Sequence, residues 1–561
     1  MIKLPSLNAI IDRAAHSFLR FPLSILSSVA AAAIAMYLFE TEPREPQLYL
    51  INLMLCFALG IPLFFSVGIL SDKRRLTAKS RFLLYIGAVL FLGLIYCSFP
   101  DSTSVNNVAI PYIRYAIFNV IVHLIASFAP YSNTGSYNGF WQYNKALFLR
   151  ILEAILYSGF LYVGLALALG ALELLFDVDV HEKLYFHLFI FIVGFFNTWF
   201  FLSGVPENFS DLEDNIKYPK GLKVFTQYIL LPLLSIYLII LYSYGLKIII
   251  SWNWPEGIVS YLIICVAVVG ILLVLLLYPY QKDEGSTWVK RFSLLYYVAL
   301  LPLIVMLFLA IGMRIGDYGI TINRYIITLL GIWLSIIALY FVMGKKNIKF
   351  IPISLASILL IASFGPWGIF SVSESSQLNR LESILRSENL LVDGKVKNQF
   401  EWSLNEKNEL LHAGQLPQEG LLIDSLHQEV KSIIEYLNDF HDISATNKYV
   451  DQDLDSLIRK ALDSSRYVNR TRIYMEAMGV TYYQRDAAGI RYYSYSAEND
   501  EVIPVRDYDY LIDVNANNRS AIAKKFRIDS STFIIGLENK LLIITTGMNH
   551  YELDLTPLVN R

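Results

Sequence analysis

Eleven stretches of this chain are each long and apolar enough to cross about 30 Å of hydrocarbon as an α-helix rising about 1.5 Å per residue. That repetition restricts the fold to a helical membrane bundle. The runs are Phe21 to Phe39, Leu48 to Leu70, Phe82 to Phe99, Tyr112 to Ala129, Leu147 to Phe176, Leu184 to Leu202, Val224 to Leu246, Ile258 to Tyr278, Phe292 to Met313, Tyr325 to Met343 and Phe350 to Ile369. Gly365 and Pro366 interrupt the last one.

Hydrophobic residues make up 55% of the 561 and the mean hydropathy is +0.47, well above soluble domains, where roughly 45–50% is apolar. The excess is concentrated before Phe370, and from Ser371 onward the chain reads as an ordinary soluble domain. The expected fold is therefore an all-α polytopic transmembrane bundle of about eleven helices over residues 1–370, followed by a soluble α+β domain over 371–561. Cys56, Cys97 and Cys265 all fall within apolar runs, which leaves the C-terminal domain without a disulfide or a thiolate metal site.

Lys and Arg favour cytoplasmic loops, and here they alternate strongly between the two sets of connections. One set carries Lys3, Arg13, Arg20, Lys73, Arg74, Arg75, Lys79, Arg81, Lys145, Arg150, Lys217, Lys220, Lys223, Lys282, Lys290, Arg291, Lys345, Lys346 and Lys349. The other has Arg44, Lys183, Lys247, Arg314 and Arg324 beside acidic Glu40, Glu42, Glu45, Asp177, Asp179 and Glu182. This bias puts the N-terminus in the cytoplasm, and an odd number of crossings puts Ser371 onward outside. The first run resembles a signal peptide, with Ala33-Ile34-Ala35 near its end, but is read as a retained anchor. Gly164, Ala168, Ala166 and Gly170 in the fifth run form a small-residue seam suited to close helix packing.

Several patterns resemble the bacterial family of multi-pass membrane proteins known as domain of unknown function 4153. They are Phe140-Trp141-Gln142-Tyr143-Asn144 with Leu147, Phe148 and Arg150; Gly164 to Ala168; Leu231-Pro232-Leu233; Tyr242 to Lys247; Trp254 to Gly257; and Arg314 to Thr321 with Arg324-Tyr325. The resemblance implies a bacterial cytoplasmic-membrane location and a shared helical bundle, with no catalytic residues or cofactor to carry over.

Ionisable side chains in or beside a bilayer are costly and mark candidate sites. With the orientation above, Arg114, Glu173, His187, Lys247, Arg314, Asp317, Tyr318 and Arg324 all fall toward the outer face. A charged pocket there would recognise a phosphate or carboxylate through its guanidinium groups. The plainer reading has these arginines snorkelling to headgroups or pairing with Glu173 and Asp317. At the inner face, Trp141, Tyr143, Asn144, Arg150 and Glu153 read as an amphipathic lead-in with aromatic anchors at the headgroups and an Arg150–Glu153 pair.

The loop Asp177 to Glu182 with His187 mixes carboxylates and imidazoles that could hold a divalent cation, but His181-Glu182 lacks the second histidine of a zinc motif and a solvated loop is the plainer reading; Asp451, Asp453 and Asp455 lack the glycine and glutamate of a calcium loop. No metal, cofactor or nucleic-acid partner is expected, and no catalytic motif is found. A polytopic glycosyltransferase shares only the topology, with Glu40, Glu42 and Glu45 in a first outer loop too short for donor-binding helices.

In the C-terminal region, Leu378, Leu381 and Leu385 form one helical stripe, and Gln418 to Phe440 and Asp453 to Leu462 keep helical periodicity. Strands are expected around the tyrosines Tyr482 to Tyr495, flanking a turn at Ala488-Gly489, and at Thr532 to Ile535, Leu541 to Thr545 and Tyr551 to Leu555. Two functions fit this layout: a non-enzymatic envelope sensor, scaffold or assembly component whose outer domain binds an envelope protein, or a transporter or lipid-handling protein using the outer charged cluster. Membrane lipid is a partner in both.

Overall fold

The apolar runs form helices because their backbone groups have no aqueous partner in lipid and must bond within the segment. A computed structural model describes residues 15–41, 47–100, 109–132, 135–214, 218–252, 258–279, 287–397, 399–405, 410–412, 424–464, 468–480, 482, 524–528, 531–538, 541–546 and 549–554. The helices are α1 (Pro22–Thr41), α2 (Leu48–Arg74), α3 (Ala78–Ser98), α4 (Ala109–Phe128), α5 (Tyr137–Phe176), α6 (Glu182–Ser203), α7 (Lys220–Ser251), α8 (Ile258–Leu276), α9 (Thr287–Tyr318), α10 (Ile322–Val342) and α11 (Phe350–Ala362). Two contain single π turns, at Phe191–Phe196 in α6 and Phe225–Leu230 in α7.

Ten of the eleven are long enough to cross a membrane by themselves. The exception is α11, whose 13 residues span only about 20 Å, because the chain turns through Ser363 to Gly368 before α12 (Ile369–Ser387) begins. The chain from Lys349 to Gln377 nevertheless runs from one end of α10 to the other. Lys349 donates to the carbonyl of Tyr131 at 3.0 Å at one end of α10, and Gln377 donates to the carbonyl of Tyr318 at 3.0 Å at the other.

The chain divides into two compact units, Met1–Tyr482 and Tyr483–Arg561. Phe370, where the composition changes, lies in the first turn of α12 rather than at this division. Within the first unit, one apolar core joins α7, α8, α9 and α10 around Ile263, Leu300, Leu307 and Leu334. A second joins α2, α3, α4, α10 and α11 around Leu59, Phe118, Ile322 and Leu359 and includes Ile369 and Phe370 of α12. A third, beyond the bundle, packs Leu381 and Leu385 of α12 on α13 (Asp424–Phe440), α14 (Leu454–Ser464) and α15 (Arg470–Ala477). The hairpins β1 (Leu391–Val392) with β2 (Lys395–Val396) and β3 (Trp402–Leu404) with β4 (Leu410–His412) adjoin that core.

The second unit contains a four-stranded antiparallel meander, β5 (Lys524–Ile528), β6 (Ser531–Glu538), β7 (Leu541–Thr546) and β8 (Asn549–Asp554), in sequential order. The three β-rich runs read from the sequence become β6, β7 and β8, and β5 adds a strand that was not expected. The strands expected after Tyr482 around Ala488-Gly489 lie outside the described residues.

Close packing uses different small residues from those expected. A Cβ placed on Gly164 would meet nothing, while one on Gly170 of the same seam would lie 3.7 Å from the Tyr185 hydroxyl. Gly270 of α8 instead lies against the Tyr296 ring of α9, which is 2% exposed and donates to the Ala267 carbonyl at 2.7 Å. A buried ring has no room to swing away, so Gly270→Ala is expected to destabilise the bundle by about 1–2 kcal/mol, overpacking outweighing the better helix propensity of alanine. The check is a lower apparent melting temperature in detergent.

Candidate functional site

The tight turn between α9 and α10 leaves helix-terminal N–H and C=O groups without intrahelical partners. Side chains from α12 and α13 supply them. The Ile320 N–H donates to Ser376 Oγ at 2.9 Å and the Ile322 N–H to the Tyr436 hydroxyl at 2.8 Å. Gln377 Nε2 donates to the carbonyls of Tyr318 and Ile320 at 3.0 and 3.1 Å. Gly319 has φ +70°, and the direction a Cβ would take is occupied by the side chains of Gln377, Ser376 and Arg380. A β-carbon is excluded there both by conformation and by space.

Cations gather around the same turn. The guanidinium groups of Arg314 and Arg324 both lie over the Tyr318 ring, at 5.6 and 5.4 Å from its centroid, in cation–π contact. Arg324 also donates to the carbonyls of Tyr318 and Gly319 at 3.0 and 2.7 Å. Arg380, on α12, pairs with Glu429 of α13 at 2.5 Å.

Behind Tyr436, His441 is 1% exposed. Its Nε2 sits 3.1 Å from Ser373 Oγ and 3.3 Å from the Tyr436 hydroxyl. Burial pushes its imidazole down to about 4, so the ring is neutral near pH 7. Glu374 moves the other way, raised first by burial and then by the nearby Asp442 carboxylate. Tyr436→Phe would strip the Ile322 N–H of its acceptor and is expected to cost about 1–3 kcal/mol. Faster amide exchange at Ile322 together with a lower melting temperature would report that loss.

Of the residues singled out in the sequence, Arg314, Tyr318 and Arg324 come together at this turn, with Asp317 exposed on the same turn of α9. Arg114 stacks elsewhere, 4.9 Å from the Phe370 ring and 5.8 Å from that of Phe364. His187 pairs with Glu40 at 3.3 Å and meets the edge of Phe39. Glu173 and Lys247 are exposed on α5 and α7. Gln377, Arg380, Tyr436 and His441 carried no signal in the sequence, since each acts through a contact more than 45 residues away in the chain or lies behind one that does.

The opposite end of the bundle differs from expectation. Trp141 and Tyr143 are 5% and 0% exposed and bond neighbouring helices instead of headgroups. Trp141 Nε1 donates to the Leu275 carbonyl at 2.6 Å, Tyr143 to that of Ala126 at 3.0 Å and Asn144 to that of Ser127 at 3.1 Å. The Arg150–Glu153 pair forms at 2.9 Å as the spacing implied, and Arg150 also donates to the Phe200 carbonyl. Among the described residues no group of His, Cys, Asp and Glu is arranged to hold a metal ion. Asp451 pairs with Lys395, Asp453 caps α14 through the Ser456 N–H, and Asp455 accepts from Tyr474.

A bundle of long apolar helices jointed to a helical domain by side-chain bonds to one turn defines a multi-pass membrane protein. Residues 26–387 match the family model named Domain of unknown function (DUF4153), and the chain belongs to that family. The match ends with α12, so the family's shared part includes the turn and the α12 half of its joint. An "Uncharacterized protein PM1469" of Pasteurella multocida (strain Pm70) is 24% identical over 340 residues, 59% of this chain and 54% of the relative. The chain thus spans about half the length of that relative. No solved structure matches it.

Proposed function

We propose that this protein is a non-enzymatic sensor or assembly component of the bacterial cytoplasmic membrane, in which the bundle holds a rigidly oriented extracytoplasmic domain for an envelope partner. The observation that carries the reading is the joint: four backbone groups of one interhelical turn are bonded by Ser376, Gln377 and Tyr436. A flexible tether would leave those groups to water. With three side chains bonded to one turn, a displacement of the domain must be felt at α9 and α10, as a sensor or a scaffold requires.

Sidedness is supported by charge. Lys345, Lys346 and Lys349 lie beyond the end of α10 remote from the joint, and a lysine-rich connection favours the cytoplasm. The joint and its domain then face outward. Of the cations that a transport reading needs, Arg324 is held by two carbonyls, while Arg114 and Arg314 lie against aromatic rings.

Two measurements test the proposal in the full-length protein. Ser387→Cys is expected to react with a membrane-impermeant thiol reagent in intact spheroplasts, and Lys346→Cys only after permeabilisation. Spin labels at Asp317→Cys and Ser387→Cys are expected to give one narrow distance distribution. Reversed labelling would overturn the sidedness, and a broad distribution would overturn the rigid presentation of the domain.

A further inference from the structure

The remote end of the bundle carries a groove of about 540 Å³ between α8, α9 and the α10–α11 connection. Its walls combine two chemistries. Lys290, Lys345 and Lys346 line it beside apolar Leu275, Leu294 and Phe341. The three lysines are exposed, and none pairs with a carboxylate among the described residues.

Tyr297 also lines the groove and is 2% exposed, its ring stacked on Phe341 at 4.7 Å. Its buried hydroxyl has no hydrogen-bond partner among the described residues. An unmade bond of that kind is expensive in a buried setting, and a phosphate oxygen entering the groove would supply the missing acceptor. A second cavity of about 280 Å³, walled mainly by apolar side chains, shares Leu275 and Ile348 with the groove. Polar atoms that favour a phosphate therefore stand next to space that favours a hydrocarbon chain.

We propose that this groove binds the phosphate of an anionic phospholipid, with Lys290, Lys345 and Lys346 around the headgroup, Tyr297 donating to a phosphate oxygen, and the acyl chain along Leu275, Leu294 and Phe341. The inference is independent of the role proposed for the joint. Basic pockets between membrane helices are suited to such headgroups, and a single-chain amphiphile of the same chemistry would fit equally.

The test uses the full-length protein in phosphatidylcholine nanodiscs containing graded phosphatidylglycerol, read by native mass spectrometry of retained lipid. Wild type is expected to retain phosphatidylglycerol in preference to phosphatidylcholine. The variant Lys290→Gln/Lys345→Gln/Lys346→Gln is expected to lose roughly a hundredfold in that preference, since each basic side chain near an anionic surface contributes about fivefold. Tyr297→Phe is expected to weaken retention severalfold while leaving the lysines in place. A control at the same end, Arg75→Gln/Lys79→Gln/Lys220→Gln, is expected to change it little. Equal losses in the control and groove variants would reduce the effect to general surface charge and overturn the site. Competition by millimolar inorganic phosphate alone would overturn the lipid and leave a free phosphate in its place.

Discussion

Trp141→Ala is expected to destabilise the bundle by about 3–5 kcal/mol, the usual range for removing a buried aromatic side chain. Three contacts disappear together. The indole is stacked on Tyr218 at 5.6 Å, holds the Leu275 carbonyl at 2.6 Å and lies under the Lys145 ammonium at 5.4 Å. Trp141 also walls the cavity of about 280 Å³, so truncation enlarges an existing void and the site has little scope to collapse. Trp141→Phe keeps much of the apolar contact and loses the hydrogen bond, which should cost about 1–2 kcal/mol. Tyr143→Phe removes one buried hydroxyl bond to Ala126 and should resemble it. Apparent melting temperatures of the purified proteins are expected to fall in the order wild type, then the two phenylalanine variants, then Trp141→Ala. A Trp141→Ala protein as stable as Trp141→Phe would show that packing at this position contributes little.

The bundle itself was legible because a membrane helix announces itself by length and apolarity, both local properties. The eleventh run shows where that signal weakens. Gly365 and Pro366 interrupt it, and the structure gives a short α11 followed by a turn and α12. Arg314, Tyr318 and Arg324 were found together because they flank one turn. The side chains that bond the turn's backbone, Gln377 to Tyr318 and Tyr436 to Ile322, come from 59 and 114 residues away, and no periodicity reports such contacts. Trp141 and Tyr143 were read as headgroup anchors for a related reason: aromatic residues near a helix end form the same sequence pattern whether they meet lipid or a neighbouring helix. The seam on α5 is legible only in part, since small residues permit close approach but do not say which helix comes: Gly170 adjoins Tyr185 and Gly164 faces open space. The lysine groove unites residues 290, 345 and 346, which the charge count had only sorted to one side.

Acidification from pH 7 to pH 4 is expected to weaken the joint through His441. In the unfolded chain this imidazole titrates near its ordinary value of about 6.5, while in the folded protein burial holds it down to about 4. Over that interval the unfolded state takes up a proton that the folded state refuses. Stability is therefore constant above about pH 6.5, declines through the interval, and levels below about pH 4, with a total contribution of about 3 kcal/mol. Glu374 opposes this trend, because its carboxyl is raised in the fold by burial and by Asp442, so the folded state there holds its proton more tightly and gains relative stability as the pH falls. The two effects are separated by comparing wild type with His441→Gln, which keeps a polar group beside Ser373 and Tyr436 but does not titrate. The difference in apparent melting temperature between them is expected to be flat above pH 6.5 and to move in favour of the glutamine variant toward pH 4. Amide exchange should quicken in wild type first at Ile322, whose N–H depends on the Tyr436 hydroxyl that His441 adjoins. A pH-independent difference would mean that His441 titrates normally in the fold, and the joint would then be held by its neutral hydrogen bonds alone.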